Sequence, residues 1–166
     1  MPEPPDSGLF RALQADCKTQ LESQKFFSAD KDKGETAIPI ITEDLLDIES
    51  RIAIAVGQLG ACVILLTVTA EGNNPNVAGP QWEDIRLVAR VKENVTINRA
   101  GGGTLQPASL VAEAVAHHLH HFTPSTTSNC IVVEKISLVP DDKHLTYDVL
   151  CKWRGGRTAA PQRITA

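Results

Sequence analysis

Aromatic side chains are scarce in this sequence: four Phe, two Trp and one Tyr make up 4% of the residues. Val, Ile, Leu and Ala must therefore fill whatever core the chain builds. A basic excess is also missing. Asp and Glu number 20 against 16 Lys and Arg, for a net charge of −4. That balance argues against non-specific nucleic-acid binding by the whole surface and leaves room only for a local basic patch. The four cysteines, Cys17, Cys62, Cys130 and Cys151, form no CxxC pair, and the last three lie in apolar runs. They read as buried thiols in a reducing compartment. The opening MPEPPDSG has neither the basic nor the apolar region of a signal peptide, so the chain reads as made in the cytoplasm. No GxSxG, P-loop or GxGxxG motif occurs, and no nucleophile, base and orienter can be assembled from spacing. The chain is expected to be no enzyme and to need no cofactor.

What is present fits one globular domain. Hydrophobic residues are 42% and charged residues 22% of 166, enough to bury a core without staples. Ile52 to Ala70 carries no charge over 19 residues, close to a membrane span in length. Gly57 and Gly60 interrupt it, so a helix ending at glycine and followed by a buried strand is the better reading, and no membrane partner is expected.

Periodicity gives the elements. Leu9, Leu13, Cys17 and Leu21 recur four apart, which predicts a helix over 9–27. TAIPII at 36–41 predicts a short extended segment kept at an edge by Pro39. Thr42 reads as an N-cap with Glu43 and Asp44 in the first turn of a helix over 43–59. ACVILLTVTA at 61–70 lacks alternation and predicts a strand buried on both faces. From Trp82 a second strand alternates Ile85, Leu87, Ala89 and Val91 with Arg86, Val88, Arg90 and Lys92; a bulge or kink near Glu93 carries it on to Val95 and Ile97. Pro107 opens a helix that runs to Phe122. Two antiparallel strands follow, joined around Pro140–Lys143. The expected fold is α+β: a mainly antiparallel four-stranded sheet with helices packed on one face, in the order α-α-β-β-α-β-β. Residues 9–154 form the domain. Residues 1–8 read as an N-terminal arm, 155–166 as a C-terminal tail, and 71–81 and 100–105 as loops available for contacts.

Two clusters carry possible chemistry. His117, His118, His120 and His121 end one helix. His117 and His121, four apart, could share a metal ion, and so could the pairs His117–His120 and His118–His121. However, His118 falls in the Val111, Val115, Phe122 stripe, His120 points away, and no carboxylate follows the first His as in a zincin helix. A helix end with partly packed, partly solvated histidines is therefore expected, with no metal. The second cluster is Arg86, Arg90, Lys92 and Arg99, which reads either as a solvated sheet face or as a surface lining a ring lumen or meeting an acidic partner.

The stretches ITEDLLDIESRIAIAVGQLGACVILLT and RLVARVKENVTINRAGGGTLQPASLVAEAVAHHLHHF resemble small structural proteins of tailed bacteriophages, in arrangement the tail terminator or tail-completion proteins. The elements that carry the resemblance are a strand ending in ENVTINR, a Gly-rich loop and a helix ending in a His-aromatic segment, within about residues 38–154. The resemblance implies a virion protein made in the host bacterium. It implies a homo-oligomeric ring, commonly a hexamer, that caps the tail tube protein and joins it to the head connector, with DNA passing through without being gripped. Arg86, Arg90, Lys92 and Arg99 are then candidates for assembly or lumen contacts. A head-completion or other neck component is an alternative, and a metal-binding enzyme using His117–His121, or an adaptor outside any virion, are readings of different classes.

Overall fold

The computed structural model describes residues 8–43, 47–72, 82–100, 103–125 and 128–156. The expected arm before Gly8, most of the 71–81 loop, two glycines of the 100–105 loop and the tail after Gly156 lie outside the described residues.

The fold is α+β. Helix α1 (Leu9–Glu22) is followed by strand β1 (Ile40–Thr42) and helix α2 (Ile48–Ile54), which passes directly into one π-helical turn, Ala55–Leu59. Strands β2 (Ala61–Gly72) and β3 (Trp82–Glu93) come next. Helices α3 (Val95–Arg99) and α4 (Ala108–Leu119) precede strands β4 (Ile131–Val139) and β5 (Leu145–Trp153). The strands form one sheet in the order β1-β2-β3-β5-β4, parallel only at β1–β2.

Three expectations are corrected here. The sheet has five strands, because the TAIPII segment pairs in parallel with β2, setting Ile40 opposite Val63 and Thr42 opposite Leu65. Thr42 is thus the last residue of a strand, and no N-cap. The strand carrying the arginines stops at Glu93: Val95–Arg99 turns into a short helix, with the Asn94 side chain accepting from Ile97 N–H at 3.3 Å. Helices also cover both faces. On one face α1 and α4 enclose the main core, where Leu13, Cys17 and Leu21 meet Val111, Val115 and Leu119 over Val63, Leu65, Ile85, Leu87, Val149 and Trp153. Such a side chain contributes about 1.5–3 kcal/mol when fully buried. On the other face the π turn sets Ala55 and Val56 over Ile41, Cys62 and Ile64. Ala61–Leu65 is buried at every residue, as a strand roofed on both sides requires, but the expected double burial does not reach Ala70: from Leu66 onward the strand is half-buried to exposed, with Val68 52% exposed.

This second layer stops at β2. No described helix covers the outer face of β3, β5 and β4. Both α1 and α4 are also shorter than their stripes predicted: α1 ends at Glu22, and α4 at Leu119, where the chain turns through His121 at φ +65°.

Cys17, Cys62 and Cys151 are buried, but Cys130 is exposed because it precedes β4 in an irregular segment. Burial pushes the Cys62 thiol up to about 12 despite nearby Lys92, and Cys151 to about 12 with Glu134 adding to the rise. Burial raises Cys17 further still. A thiol probe applied to the native protein at pH 7 should therefore modify one cysteine per chain rapidly, Cys130, and the other three only after denaturation. Rapid modification of Cys62 or Cys151 in the folded protein would contradict this packing.

Candidate functional site

The segment ENVTINRAGGGTLQPA forms a polar knot at one end of the sheet. Glu93 keeps the core-side parity of Ile85, Leu87, Ala89 and Val91, so its carboxylate enters the protein and is fully buried. Asn98 Nδ2 donates to its Oε1 at 2.9 Å, and Arg99 Nε donates to the same oxygen at 2.9 Å. Ala108 N–H, at the start of α4, donates to Oε2 at 2.8 Å. Burial works to raise the pKa of this carboxyl, but the donors from Arg99, Asn98 and Ala108 outweigh it and hold the group below its ordinary value.

Asn98 is itself fully buried and holds the loop. Its Nδ2 also donates to Gln106 O at 2.9 Å, while its Oδ1 accepts from Thr104 Oγ1 at 2.5 Å and from Leu105 N–H at 3.1 Å. Glycine is required where this backbone meets the π turn. A Cβ on Gly60, at φ +84°, would fall 2.4 Å from Asn98 Cα, and one on Gly103 would fall 2.6 Å from the same atom and 2.7 Å from Leu59 O. Thr104 N–H closes the contact by donating to Leu59 O at 3.0 Å. What is described of the glycine loop thus serves this packing.

The second assembly is the uncovered sheet face. Arg86, Arg90 and Lys92 do share it, but each stands against an acid. Arg86 pairs with Glu134, Arg90 binds Asp148 through two bonds of 2.8 Å, and Lys92 lies 3.6 Å from Asp141. Lys152 faces Asp84 at 3.4 Å. The alternation along β3 reveals the cations but not the carboxylates that β4, β5 and their turn bring opposite them. The face is therefore charge-balanced where a mostly basic one was expected. Arg99 lies apart from it, on Glu93. Val88 sits on this face between Leu66 and Leu150 and is nevertheless 4% exposed. No helix roofs it, so the stems of the paired side chains do.

Asp141 closes the β4–β5 turn. It accepts from Lys143 N–H at 3.0 Å, His144 N–H at 3.2 Å and Thr146 Oγ1 at 3.0 Å. The Lys143 N–H bond is the largest of the effects that hold its pKa at about 2, with Thr146, His144 and the charge of Lys92 assisting against burial.

The histidines divide. His118 is half-buried with its ring 6.3 Å from Phe27, and burial, followed by neighbouring His117, lowers its pKa. His120 and His121 stack at 4.1 Å. His120 Nδ1 accepts from Val133 N–H at 3.1 Å, while His121 N–H donates to Ile131 O at 2.8 Å. A ring that accepts at Nδ1 carries its proton at Nε2. These two residues thus fasten the helix end to the start of β4. The ring contacts join His117 to His118 and His120 to His121; none is recorded between His117 and His121. Among the described residues no three of His, Cys, Asp and Glu are grouped to hold a metal ion, and no helix is long and apolar enough to cross a membrane.

Comparison with known protein families returns no match, and no curated protein matches the chain.

Two outcomes follow from this geometry. Asn98→Ala leaves the Thr104 hydroxyl, Leu105 N–H and Gln106 carbonyl without their buried partner. It should cost about 3 kcal/mol or more in urea unfolding, and Gly103→Ala should be damaging through its clash with backbone. The pH dependence is also set. Glu93 and Asp141 both have depressed folded pKa values, so their contribution to stability is complete above the unfolded carboxylate value of about 4. It is lost as pH falls from there through the folded values, toward about 2 for Asp141. Glu93→Gln should flatten that acid slope; an unchanged slope in both Glu93→Gln and Asp141→Asn would refute the assignment.

Proposed function

We propose that this chain is a structural protein of tailed-phage virions, of the kind that resembles tail terminators. In this reading it assembles as a homo-oligomeric ring, commonly of six, at the head–tail junction, where it completes the tail and joins it to the connector. The observation that carries the reading is the uncovered face of β3, β5 and β4 with its interleaved charges. A surface past which DNA must slide has to be wetted and polar without holding phosphates. Lone cations would release counterions on contact with DNA and bind it. Here Arg86, Arg90, Lys92 and Lys152 each have a carboxylate neighbour, which shortens the reach of their field and would repel a phosphate from the same spot. The ENVTINR segment, the glycine loop and the following helix support the reading in a second way. They are the residues on which the phage resemblance rests, and they fold as one unit around Glu93.

The test is mass measurement of the purified protein over a range of concentrations, with electron microscopy and mass spectrometry of purified particles. A ring, and a copy number per particle that matches it, are expected. Replacing Glu134, Asp141 and Asp148 together by Gln or Asn should leave DNA packaged but slow its ejection, by making the lumen basic. A protein that is absent from particles and monomeric throughout would overturn the proposal.

A further inference from the structure

The outer edge of β4 is closed over its first residues and open beyond them. His121 N–H donates to Ile131 O at 2.8 Å, and Ile131 N–H donates to Phe122 O at 2.7 Å. Two residues on, the closing group is a side chain: Val133 N–H donates to His120 Nδ1 at 3.1 Å. The ladder to β5 then slips by one residue at Glu134. From there to Val139 no described strand pairs with the outer edge. Ile136 is 38% and Leu138 60% exposed there. Such an edge is a template for another chain, and the His120 ring marks where it begins.

Of these three bonds, the one from Val133 alone depends on a proton. A backbone carbonyl accepts throughout the neutral range, whereas an imidazole nitrogen accepts only while it is unprotonated. Histidine is the side chain that gains charge between pH 8 and 5. A proton added at Nδ1 turns the acceptor into a donor, and it then faces a second donor. The charged ring has a better partner on its own helix. His120 is the C-cap of α4, where the last carbonyls form the negative end of the helix dipole. No acid holds the ring where it stands. His121 stacks on it at 4.1 Å, and His118 is turned to Phe27. His117 and exposed Glu113 stand one and two turns back along α4. From α1, Asp16 is engaged by Ser125 N–H at 2.9 Å and Ser125 Oγ at 2.8 Å. On β4 Glu134 is paired with Arg86, and on β5 Lys152 is paired with Asp84. Cys130, just before β4, is exposed. Among the described residues the histidine within ion-pair reach of an acid is His144, on Asp141.

We propose that His120 is a proton-operated latch on the edge of β4. Neutral, its ring closes the Val133 N–H and stops the open edge at Glu134. Protonated, the ring turns to the carbonyls that end α4 and releases that N–H, so the open edge lengthens back to Val133. His121 sets the order of events. Two stacked imidazoles resist taking a proton each, because like charges in contact disfavour one another. A proton on His121 therefore delays the one on His120. The backbone bonds of Ile131 carry no titratable atom and stay in place, which confines the change to one position. The latch also opens on an intact fold. The carboxylates of Glu93 and Asp141 lose their contribution only below about pH 4, well under the range in which histidine charges. The inference stands on the local geometry and is independent of the ring reading.

The test is NMR of the isotope-labelled protein between about pH 7.5 and about pH 5.5, following the His120 ring resonances and amide hydrogen exchange together. Exchange is corrected for its intrinsic pH dependence. As the ring charges, the Val133 amide should lose protection by about fivefold or more, the worth of one net hydrogen bond. The Ile131 amide, held by Phe122 O, should keep its protection and serves as the internal control. His120→Asn keeps an acceptor oxygen in the place of Nδ1 that takes up no proton, so Val133 should stay protected at both ends of the range. His120→Ala should leave it unprotected at both. His121→Asn removes the competing charge while tolerating the φ of +65° at that position, so release should begin at a higher pH than in the wild type. Both histidines are exposed, and circular dichroism at each pH verifies that the variants are folded. Three results would each overturn the proposal. The His120 ring stays neutral at the acid end; or it charges while Val133 remains protected; or the loss at Val133 is shared equally by Ile131 or by the His120→Asn variant.

Discussion

An ionised carboxylate inside a protein needs compensation, since taking it from water costs several kcal/mol even after relaxation. Glu93 is such a group, and its donors come from two successive pieces of chain: Asn98 and Arg99 on α3, and the first N–H of α4. The strand can end at Glu93 only if the chain turns back at once, which the α3 turn accomplishes. The loop after α3 must then approach Asn98 closely enough for Thr104, Leu105 and Gln106 to saturate its amide, and Gly60 and Gly103 provide that approach. The helix dipole of α4 points its positive end at the same carboxylate. The direction of α4 over the sheet, and with it the main core, therefore depends on one charge whose partners are all local in sequence.

That dependence explains which features were legible from residues alone. Alternation located β3 and β5, and the run at 61–70 announced a strand covered on both sides, which holds for its first half, 61–65, because each signal is a direct consequence of burial. Glu93 was visible too, as an acid at a position where the period-2 pattern demands an apolar residue. The break in pattern reads as a bulge or kink, and only the donors on α3 and α4 show it to be a buried charge with partners. β1 was harder to read. Three residues give no period, and a parallel pairing with β2 is made by register across more than twenty residues of intervening chain. The charge balance of the open face was hidden for a similar reason. Arg86, Arg90 and Lys92 advertise themselves on one strand, whereas Glu134, Asp148 and Asp141 arrive from β4, β5 and their turn.

The half-covered sheet has an energetic logic of its own. α2 contributes no fully buried residue, and the small second core depends on Ala55 and Val56 in the π turn. A roof built this way cannot extend past β2. Over β3 and β5 its place is taken by aliphatic stems of Arg and Lys, held flat by carboxylates on neighbouring strands. Individually such pairs are worth little at a surface. As a lattice they fix the rotamers that keep water off Val88, so their contribution is to packing as much as to charge.

The borders of the sheet are constrained differently from its faces. A strand edge is satisfied by water in a monomer, so nothing in folding alone selects apolar residues for it; exposed Ile136 and Leu138 on β4 lower solubility without raising the stability of a single copy. The same holds for Ile54 beside β1. The protein already protects part of each border: His120 and His121 hold the start of β4, and Lys18 occupies the Ile40 carbonyl. Among the described residues the edge of β4 from Glu134 to Val139 has no strand beside it, whereas β1 is closed by Lys18 on Ile40 O and by Gln14 on Glu43 N–H. The two borders therefore differ in kind: one is closed from within the chain, and the other presents apolar side chains to water.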